Sequence, residues 1–190
     1  MKIIGGEFKG RTLKTPKNSA TRPTTSLVRG ALFNICQSIL EGARCLDLFA
    51  GSGALGIEAL SRGANFALFI EKDRKALDAL RQNVRDFGIE KKSLIIPGDV
   101  FTRLEHLQEQ FDLITADPPY GEKTYEKLLT IITEKKLLSL KGQLFIETAS
   151  SSKLPEETDS LHKASSRQYG KTVLHQFMHP CLTEKRIPFF

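Results

Sequence analysis

The sequence has little of what disulfide-bonded or metal-binding proteins are built from. It contains three cysteines, Cys36, Cys45 and Cys181. They form no CxxC pair, and an odd, scattered set indicates reduced thiols rather than disulfides or zinc ligands. His175 and His179 are four residues apart, but Pro180 disfavours the shared helical face that a metal site would need. We therefore expect no bound metal.

Long apolar segments are also missing. No run approaches the roughly 18 residues that a membrane-spanning helix requires. Residues 1–6 lack the apolar stretch of a signal peptide, and the chain has no internal repeat. The chain has 190 residues, 40% of them hydrophobic, which suffices for one sizeable core. We expect a soluble, cytoplasmic protein with one main domain and a short appendage.

The positive charge is concentrated near the N-terminus. The formal net charge is +6, and residues 1–44 contain eight Lys or Arg against two Glu, so this segment carries the whole excess. Acidic and basic side chains balance over the remaining residues. A basic segment of this kind fits a polyanion such as RNA, and it equally fits a solvated arm without a ligand.

From residue 44 onward, strand-like and helix-like patterns alternate. Strands are predicted at Cys45–Phe49, Phe66–Glu71, Ser93–Pro97, Phe111–Ala116 and Gln143–Thr148. Helices are predicted at Ala54–Arg62, Arg74–Phe87, Val100–Leu107 and Thr124–Leu138. Leu161–Arg167 and Thr172–Phe177 predict a closing hairpin, since no helix separates them. The order predicts a doubly wound, Rossmann-like α/β sheet with ligands at the carboxyl ends of its strands.

The N-terminal segment precedes this alternation. Residues 2–23 are rich in Gly, Lys and Pro, and they fit either a short hairpin (Lys2–Ile4 with Thr12–Leu13) or an extended arm. A helix is predicted over about 26–40, where apolar residues follow helical spacing. Thr24, Thr25 or Ser26 can cap it.

A glycine-rich loop follows the first predicted strand of the sheet. Gly51, Gly53 and Gly56 satisfy the GxGxxG pattern, which permits a tight turn and a close approach of backbone to a ligand. Glu71 ends the next strand, 15 positions after the last glycine, where a carboxylate can accept both ribose hydroxyls of an adenosine. The two features predict an adenosine-bearing ligand, either NAD or S-adenosylmethionine.

Asp47 separates these two ligands. It opens the motif Asp-x-Phe-x-Gly-x-Gly, close to where a dinucleotide would place its pyrophosphate. A carboxylate would repel phosphates but attract the sulfonium and ammonium of S-adenosylmethionine. Alternatively, Asp47 only caps the turn. Asp99, after the third strand, can accept the adenine amino group or cap the following helix, and both roles are compatible.

The fourth strand runs into Asp117-Pro118-Pro119-Tyr120. The two prolines fix a rigid turn with free carbonyls. Asp117 and a proline carbonyl can accept the two N–H groups of an exocyclic amine, while its ring stacks on Tyr120. Two acceptors aim the nitrogen lone pair at a methyl donor without any nucleophilic side chain. The alternative is a simple β-turn after a strand.

At these residues the sequence resembles amino-group methyltransferases that use S-adenosylmethionine. It resembles more closely the RsmD family of small-subunit rRNA guanine-N2 methyltransferases. The matching segments are Ile4-Gly5-Gly6 with Gly10-Arg11, Thr21-Arg22-Pro23-Thr24, Arg29-Gly30-Ala31-Leu32-Phe33-Asn34, Leu46-Asp47-Leu48-Phe49-Ala50-Gly51-Ser52-Gly53 and Ser61-Arg62-Gly63-Ala64. The resemblance covers most of residues 3–177 and departs from the family's usual Arg-Glu-Ala at Gly30, which weakens the helix there by roughly 1 kcal/mol.

The resemblance implies a seven-stranded sheet with an antiparallel last strand. Residues 1–43 would form a basic arm and a capping helix, and residues 44–190 the methyltransferase domain. The implied reaction is methylation of one guanine amino group of 16S rRNA, within the assembled small subunit, with S-adenosylmethionine as the donor and no obligate protein partner. Some members carry Phe where this chain has Tyr120, so its hydroxyl is dispensable. Glu147 is a family position without an assigned role.

The residues implied for each task form three groups. The donor would be held by Asp47, Phe49, Gly51, Gly53, Glu71, Asp99 and Thr24. The reaction would be carried by Asp117, Pro118 and Tyr120. RNA would be bound by Lys9, Arg11, Lys14, Lys17, Arg22 and Arg29, with Arg22, Thr24 and Thr25 placed either to close the donor pocket or to meet RNA.

Three other functions stay open at the level of sequence. An N6-adenine methyltransferase acting on DNA or RNA would use the same tetrapeptide, although the chain leaves little room for a DNA-reading domain. An NAD-dependent oxidoreductase is supported by GxGxxG and opposed by Asp47 and by Asp117–Tyr120. A non-enzymatic RNA-binding module is supported by the basic segment alone.

Overall fold

The computed structural model describes residues 1–16, 26–118, 122–152 and 154–180. The helices are α1 (Ser26–Ile35), α2 (Ala54–Ser61), α3 (Arg74–Phe87), α4 (Val100–Leu104) and α5 (Glu122–Glu134). The strands are β1 (Arg44–Leu48), β2 (Phe66–Glu71), β3 (Ser93–Pro97), β4 (Phe111–Ala116), β5 (Leu138–Ala149), β6 (His162–Tyr169) and β7 (Thr172–Met178). Short 3₁₀ turns cover Gln37–Ile39 and Glu90–Lys92.

The strands form one seven-stranded sheet in the order β3-β2-β1-β4-β5-β7-β6. β1 to β5 pair in parallel, whereas β7 is antiparallel to both β5 and β6. This confirms the doubly wound α/β sheet and its antiparallel last strand. The order reverses between β1 and β4, and such sheets bind ligands at the carboxyl ends of the strands that flank this reversal.

Two hydrophobic clusters cover the two faces of the sheet. Successive side chains of β1 point to opposite faces of the sheet, so Cys45 packs in one cluster and Leu46 in the other. Cys36 and Cys45 are both buried in this core. Burial raises the pKa of both thiols, that of Cys36 to about 12, so neither side chain is a thiolate at neutral pH.

The N-terminal segment is a docked hairpin rather than an extended arm. Lys2 and Thr12 form an antiparallel bridge. Ile3, Phe8 and Leu13 are buried in the same cluster as α1 and α2. The division into residues 1–43 and 44–190 stays a prediction, because the hairpin shares a core with the rest of the chain.

Several predicted boundaries were wrong. Helix α1 ends at Ile35 and gives way to a 3₁₀ turn, where Ile39 N–H donates to the Cys36 carbonyl. α4 stops at Leu104 rather than Leu107. α5 ends at Glu134 because Lys136 adopts a left-handed φ of 52°, and the Leu137 N–H closes the helix by donating to the Ile132 carbonyl. Leu138 therefore begins β5.

Candidate active site

Strand register brings the predicted site residues to one edge of the sheet. Leu48 of β1 lies opposite Ile70 of β2 and Ala116 of β4, and Glu71 lies opposite Pro97 of β3. Phe49, Glu71, Asp99 and Asp117 therefore all lie at the ends of neighbouring strands. The edge coincides with the reversal of strand order between β1 and β4.

The glycine loop leaves the end of β1 through left-handed backbone. Gly51 and Gly53 have φ values of 56° and 82°. A Cβ on Gly53 would lie 2.4 Å from Leu80 Cδ1, so the loop packs closely against α3. A Cβ on Gly51 would meet nothing within 4 Å. The loop therefore packs on the protein at Gly53 and leaves open space at Gly51, where a ligand could approach the backbone.

The carboxylate of Glu71 organises the start of the loop. Its Oε2 accepts a hydrogen bond from the Gly51 N–H at 2.7 Å. Its Oε1 accepts from the N–H groups of Lys72 and Asp73 at 2.7 and 2.8 Å. A carboxylate has about four acceptor positions. One therefore remains for a ligand hydroxyl beside the glycine loop.

Asp47 lies beneath the loop. It is 1% exposed, and its two oxygens accept hydrogen bonds from the Gly56 N–H and the Thr115 hydroxyl, both at 2.9 Å. Burial raises the pKa of Asp47 to about 7, and the charges of Glu71 and Asp117 raise it further, against these two hydrogen bonds. The carboxylate is thus enclosed by protein, and the direct contact of Asp47 with the donor stays a prediction.

Asp99 caps α4, as one of its two predicted roles requires. Its Oδ1 accepts hydrogen bonds from Phe101 N–H at 3.1 Å and Thr102 N–H at 3.4 Å. The side chain is 45% exposed, with Lys72 Nζ at 3.7 Å, so it remains accessible to a ligand. It borders a pocket of about 200 Å³ whose lining also includes Phe101, Thr102, Glu105, His106 and Lys127.

Asp117 follows β4 directly. It is half-buried, and the adjacent Pro118 is buried. Its charge acts on Asp47, as does that of Glu71, so the three carboxylates lie within electrostatic reach of one another. Pro119 and Tyr120 lie outside the described residues, as do Lys17, Arg22, Thr24 and Thr25.

This carboxylate group suits a cation better than a phosphate. Negative charge from Glu71 and Asp117 lies at the sheet edge that carries the loop, where it would repel a pyrophosphate and stabilise a sulfonium or an ammonium. Open space at Gly51 and the remaining acceptor position of Glu71 fit an adenosine carrying such a cation. The residues present therefore fit S-adenosylmethionine.

Three of the predicted RNA-binding cations lie on the N-terminal hairpin and are exposed: Lys9, Arg11 and Lys14. The Arg11 guanidinium stacks 4.1 Å from the centroid of the Phe87 ring. Lys14 Nζ lies 2.8 Å from Asp86 Oδ2 at the surface. The hairpin therefore presents positive charge on a fixed framework.

The prediction that Arg29 binds RNA was wrong. Arg29 is 1% exposed, and its Nη2 donates to the Lys2 carbonyl at 2.5 Å. Its Nε lies 3.7 Å from Glu58 Oε2. Burial lowers the pKa of Arg29, and the charges of Glu58 and Glu147 oppose that shift. Glu147, which had no predicted role, thus supplies part of the negative charge that stabilises a buried guanidinium.

Sequence patterns missed three polar residues that fix the site. Thr115 donates to Asp47. Glu58 accepts hydrogen bonds from Ile4 and Gly5 N–H at 2.8 and 2.7 Å, which anchors the hairpin. Asn83 is fully buried and bonds to both the hairpin and the glycine loop. Only Asn83 carried a signal, because it interrupts the apolar face of α3.

Two further properties concern the described part of the chain. None of its helices is both long and apolar enough to cross a membrane. Across these same ranges, no three His, Cys, Asp or Glu side chains are grouped as a metal site would require.

The chain is similar in sequence and in structure to several known proteins. A family model described as "Conserved hypothetical protein 95" matches residues 1–178. The Bacillus subtilis (strain 168) protein YlbH is 37% identical over 175 residues, 90% of this chain and 95% of its own length. "Ribosomal RNA small subunit methyltransferase D" of Escherichia coli (strain K12) is 33% identical over 155 residues, 82% of this chain and 78% of its own. The solved structure of yhhF from Escherichia coli superposes with a TM-score of 0.86 at 29% identity, covering 94% of this chain and 97% of that one.

Proposed function

The chain belongs to the family described as Conserved hypothetical protein 95, and on that basis we propose that it uses S-adenosylmethionine to methylate the N2 amino group of one guanine in small-subunit ribosomal RNA. Support for the substrate class comes from the relatives named ribosomal RNA small subunit methyltransferase D. The guanine amino group is our proposal from the Asp-Pro-Pro-Tyr sequence. A substrate in the small ribosomal subunit would place the protein in the cytoplasm.

One observation carries the proposal. Asp117 follows β4 at the same sheet edge as Glu71 and the glycine loop, and its charge reaches Asp47 beneath that loop. An acceptor for a substrate amine thus lies beside a site suited to a cationic adenosine. A site for reduction by NADH would need no such acceptor and would have to hold two phosphates beside the carboxylates of Glu71 and Asp117.

On the donor side, each residue has a distinct task. Glu71 accepts a ribose hydroxyl, Asp99 accepts the adenine amino group, and Gly51 leaves room for the ligand beside the backbone. Asp47 holds the first turn of α2, which follows the loop, by accepting the hydrogen bond from the Gly56 N–H. S-adenosylmethionine, when bound, supplies an electrophilic methyl group on its sulfonium.

On the substrate side, Asp117 and the Pro118 carbonyl accept the two N–H groups of the guanine amine. This holds the amine with its lone pair out of conjugation and directed at the methyl carbon. Tyr120, outside the described residues, would stack on the base. As the new N–C bond forms, the bond between the methyl carbon and sulfur breaks, and its electron pair stays on the sulfur as a neutral thioether. The amine nitrogen becomes positively charged, and the carboxylate of Asp117 stabilises that charge until one proton passes from the nitrogen to solvent.

The exposed hairpin supplies the RNA contact. Lys9, Arg11 and Lys14 are held on a framework that is buried against the same core as the glycine loop. Such cations bind phosphates without regard to sequence. We propose that they position 16S rRNA, within the assembled small subunit, so that one base reaches Asp117.

Methyl transfer followed by nucleoside analysis tests the proposal. Small ribosomal subunits lacking the modification are incubated with the protein and donor carrying a radiolabelled methyl group, and the rRNA is digested to nucleosides. N2-methylguanosine is expected. N6-methyladenosine would instead assign an adenine methyltransferase, and no label in any RNA would reject the proposed reaction. Calorimetry should show binding of S-adenosylmethionine and not of NADH.

A further inference from the structure

Asn83 joins two parts of the molecule that have separate proposed tasks. It lies in α3 and is fully buried. Its Oδ1 accepts a hydrogen bond from the Lys14 N–H at 2.8 Å. Its Nδ2 donates to the carbonyls of Lys14 and Ser52, both at 2.9 Å. One side chain therefore bonds the end of the N-terminal hairpin to the middle of the glycine loop.

Few side chains could replace it. A side-chain amide offers two N–H donors and one carbonyl acceptor, and Asn83 uses all of them. Aspartate would keep the acceptor for Lys14 N–H but would face two carbonyls without a donor. An apolar side chain would leave the N–H and carbonyl of Lys14 and the buried carbonyl of Ser52 without this partner, which is costly at the buried carbonyl.

The bond to Ser52 acts at a sensitive point of the loop. Ser52 stands between Gly51, beside the open space, and Gly53, which packs against Leu80. Glu71 of β2 fixes the loop at Gly51, and Asp47 of β1 fixes the first turn of the following helix at Gly56. Asn83 adds a third attachment, and this attachment is shared with the segment that carries Lys9, Arg11 and Lys14.

We propose that Asn83 is a positioning residue that couples the docking of the N-terminal hairpin to donor affinity, an inference that rests on the proposed donor role of the glycine loop. With the hairpin docked, Asn83 holds the Ser52 carbonyl and so the path of the loop. Because such coupling is reciprocal, donor binding stabilises the docked hairpin.

The first test compares Asn83→Ala with Asp78→Ala, a control at an exposed position of the same helix, whose carboxylate pairs with Arg81. We expect Asn83→Ala to raise the Kd and KM for S-adenosylmethionine by about 5- to 50-fold, with kcat at saturating donor retained. Asp78→Ala should leave both unchanged. A purely structural role would lower kcat through loss of active protein while the KM stayed constant, and that result would overturn the proposal.

The second test uses the unmodified protein and is independent of whether Asn83→Ala folds. Hydrogen exchange at the Lys14 amide, which bonds to Asn83, is followed with and without saturating S-adenosylmethionine. The donor should slow exchange at Lys14 by about fivefold or more. It should leave the Lys163 amide, bonded to the Glu156 carbonyl, unaffected. If the donor binds and exchange at Lys14 does not change, the coupling is absent. If calorimetry detects no donor binding at all, the proposed function itself fails.

Discussion

Replacing Glu71 with alanine should weaken donor binding without preventing folding. Three of the roughly four acceptor positions of this carboxylate are taken by the N–H groups of Gly51, Lys72 and Asp73. One ribose hydroxyl can therefore bond strongly. A hydrogen bond to a charged group contributes about 1.5–3 kcal/mol. At about 1.4 kcal/mol for each factor of ten, the Kd should rise about 10- to 150-fold.

We expect an increase in Kd in the upper part of this range, because Glu71→Ala also removes the acceptor of the Gly51 N–H. The loop then loses the hydrogen bond that fixes its backbone beside the open space. Isothermal titration of S-adenosylmethionine into the wild-type and Glu71→Ala proteins measures the change in Kd. Thermal unfolding confirms that both proteins are folded.

Asp73→Ala is the matched control for Glu71. Asp73 caps α3 by accepting a hydrogen bond from the Ala76 N–H, two residues beyond Glu71. Its loss should cost about 1 kcal/mol of stability and leave donor affinity unchanged. An unchanged Kd in Glu71→Ala would refute the assignment of the ribose acceptor. An equal loss of affinity in both variants would attribute the effect to the helix rather than to the carboxylate.

Two further predictions concern charge. Neutral residues in place of Lys9, Arg11, Lys14 and Lys17 should weaken RNA binding and flatten its dependence on salt concentration. The donor Kd should not change, because Asn83 contacts only the backbone of Lys14. An unchanged salt dependence would mean that these side chains are solvated and do not contact RNA. The raised pKa of Asp47, about 7 against 3.8, means that the folded state binds an extra proton between these values, so its stability falls as pH rises toward 7. Relative to Asp47→Asn, the wild-type protein should lose about 2–3 kcal/mol of unfolding free energy between pH 5 and pH 8. Urea titrations measure this difference in stability, and a difference that does not change with pH would contradict the buried carboxylate.

Local signals predicted much of the fold correctly. The bounds of α3 were right because both of its ends are encoded nearby, with Asp73 as N-cap and Gly88 in a left-handed C-cap. The bounds of β2, β3 and β4 were right because short apolar runs end at a charged residue, a glycine or a proline. The end of α5 was missed because Lys136 adopts the left-handed conformation that sequence patterns expect of glycine.

Long-range partners account for the errors at the site. Arg29 resembles any basic residue of an N-terminal arm, and its burial depends on Glu58, which is 29 positions away. Asp47 was placed at the mouth of the loop, but its partner Thr115 comes from β4, 68 positions later. A polar residue on the apolar face of α3, such as Asn83, is expected to have hydrogen-bond partners. The sequence does not show that these partners are Lys14 and Ser52. Pairings of this kind depend on the tertiary structure rather than on local sequence.

The most direct measurement of the central claim is the single-turnover rate of methyl transfer by Asp117 variants. Asp112→Asn serves as the control, since Asp112 lies at the opposite end of β4 and bonds to Arg44 and Ser139. Its rate should match the wild type. Asp117→Ala removes an acceptor for the amine and should lower the rate by roughly 10²–10⁴-fold.

Asp117→Asn separates orientation from proton removal. Its amide oxygen can still accept an N–H of the guanine amine in nearly the same position, although the charge is gone. If Asp117 orients the amine, the asparagine variant should keep far more activity than the alanine variant, with donor Kd little changed in both. Wild-type rates in both variants would contradict the account and leave Asp117-Pro118-Pro119-Tyr120 as a turn at the end of β4.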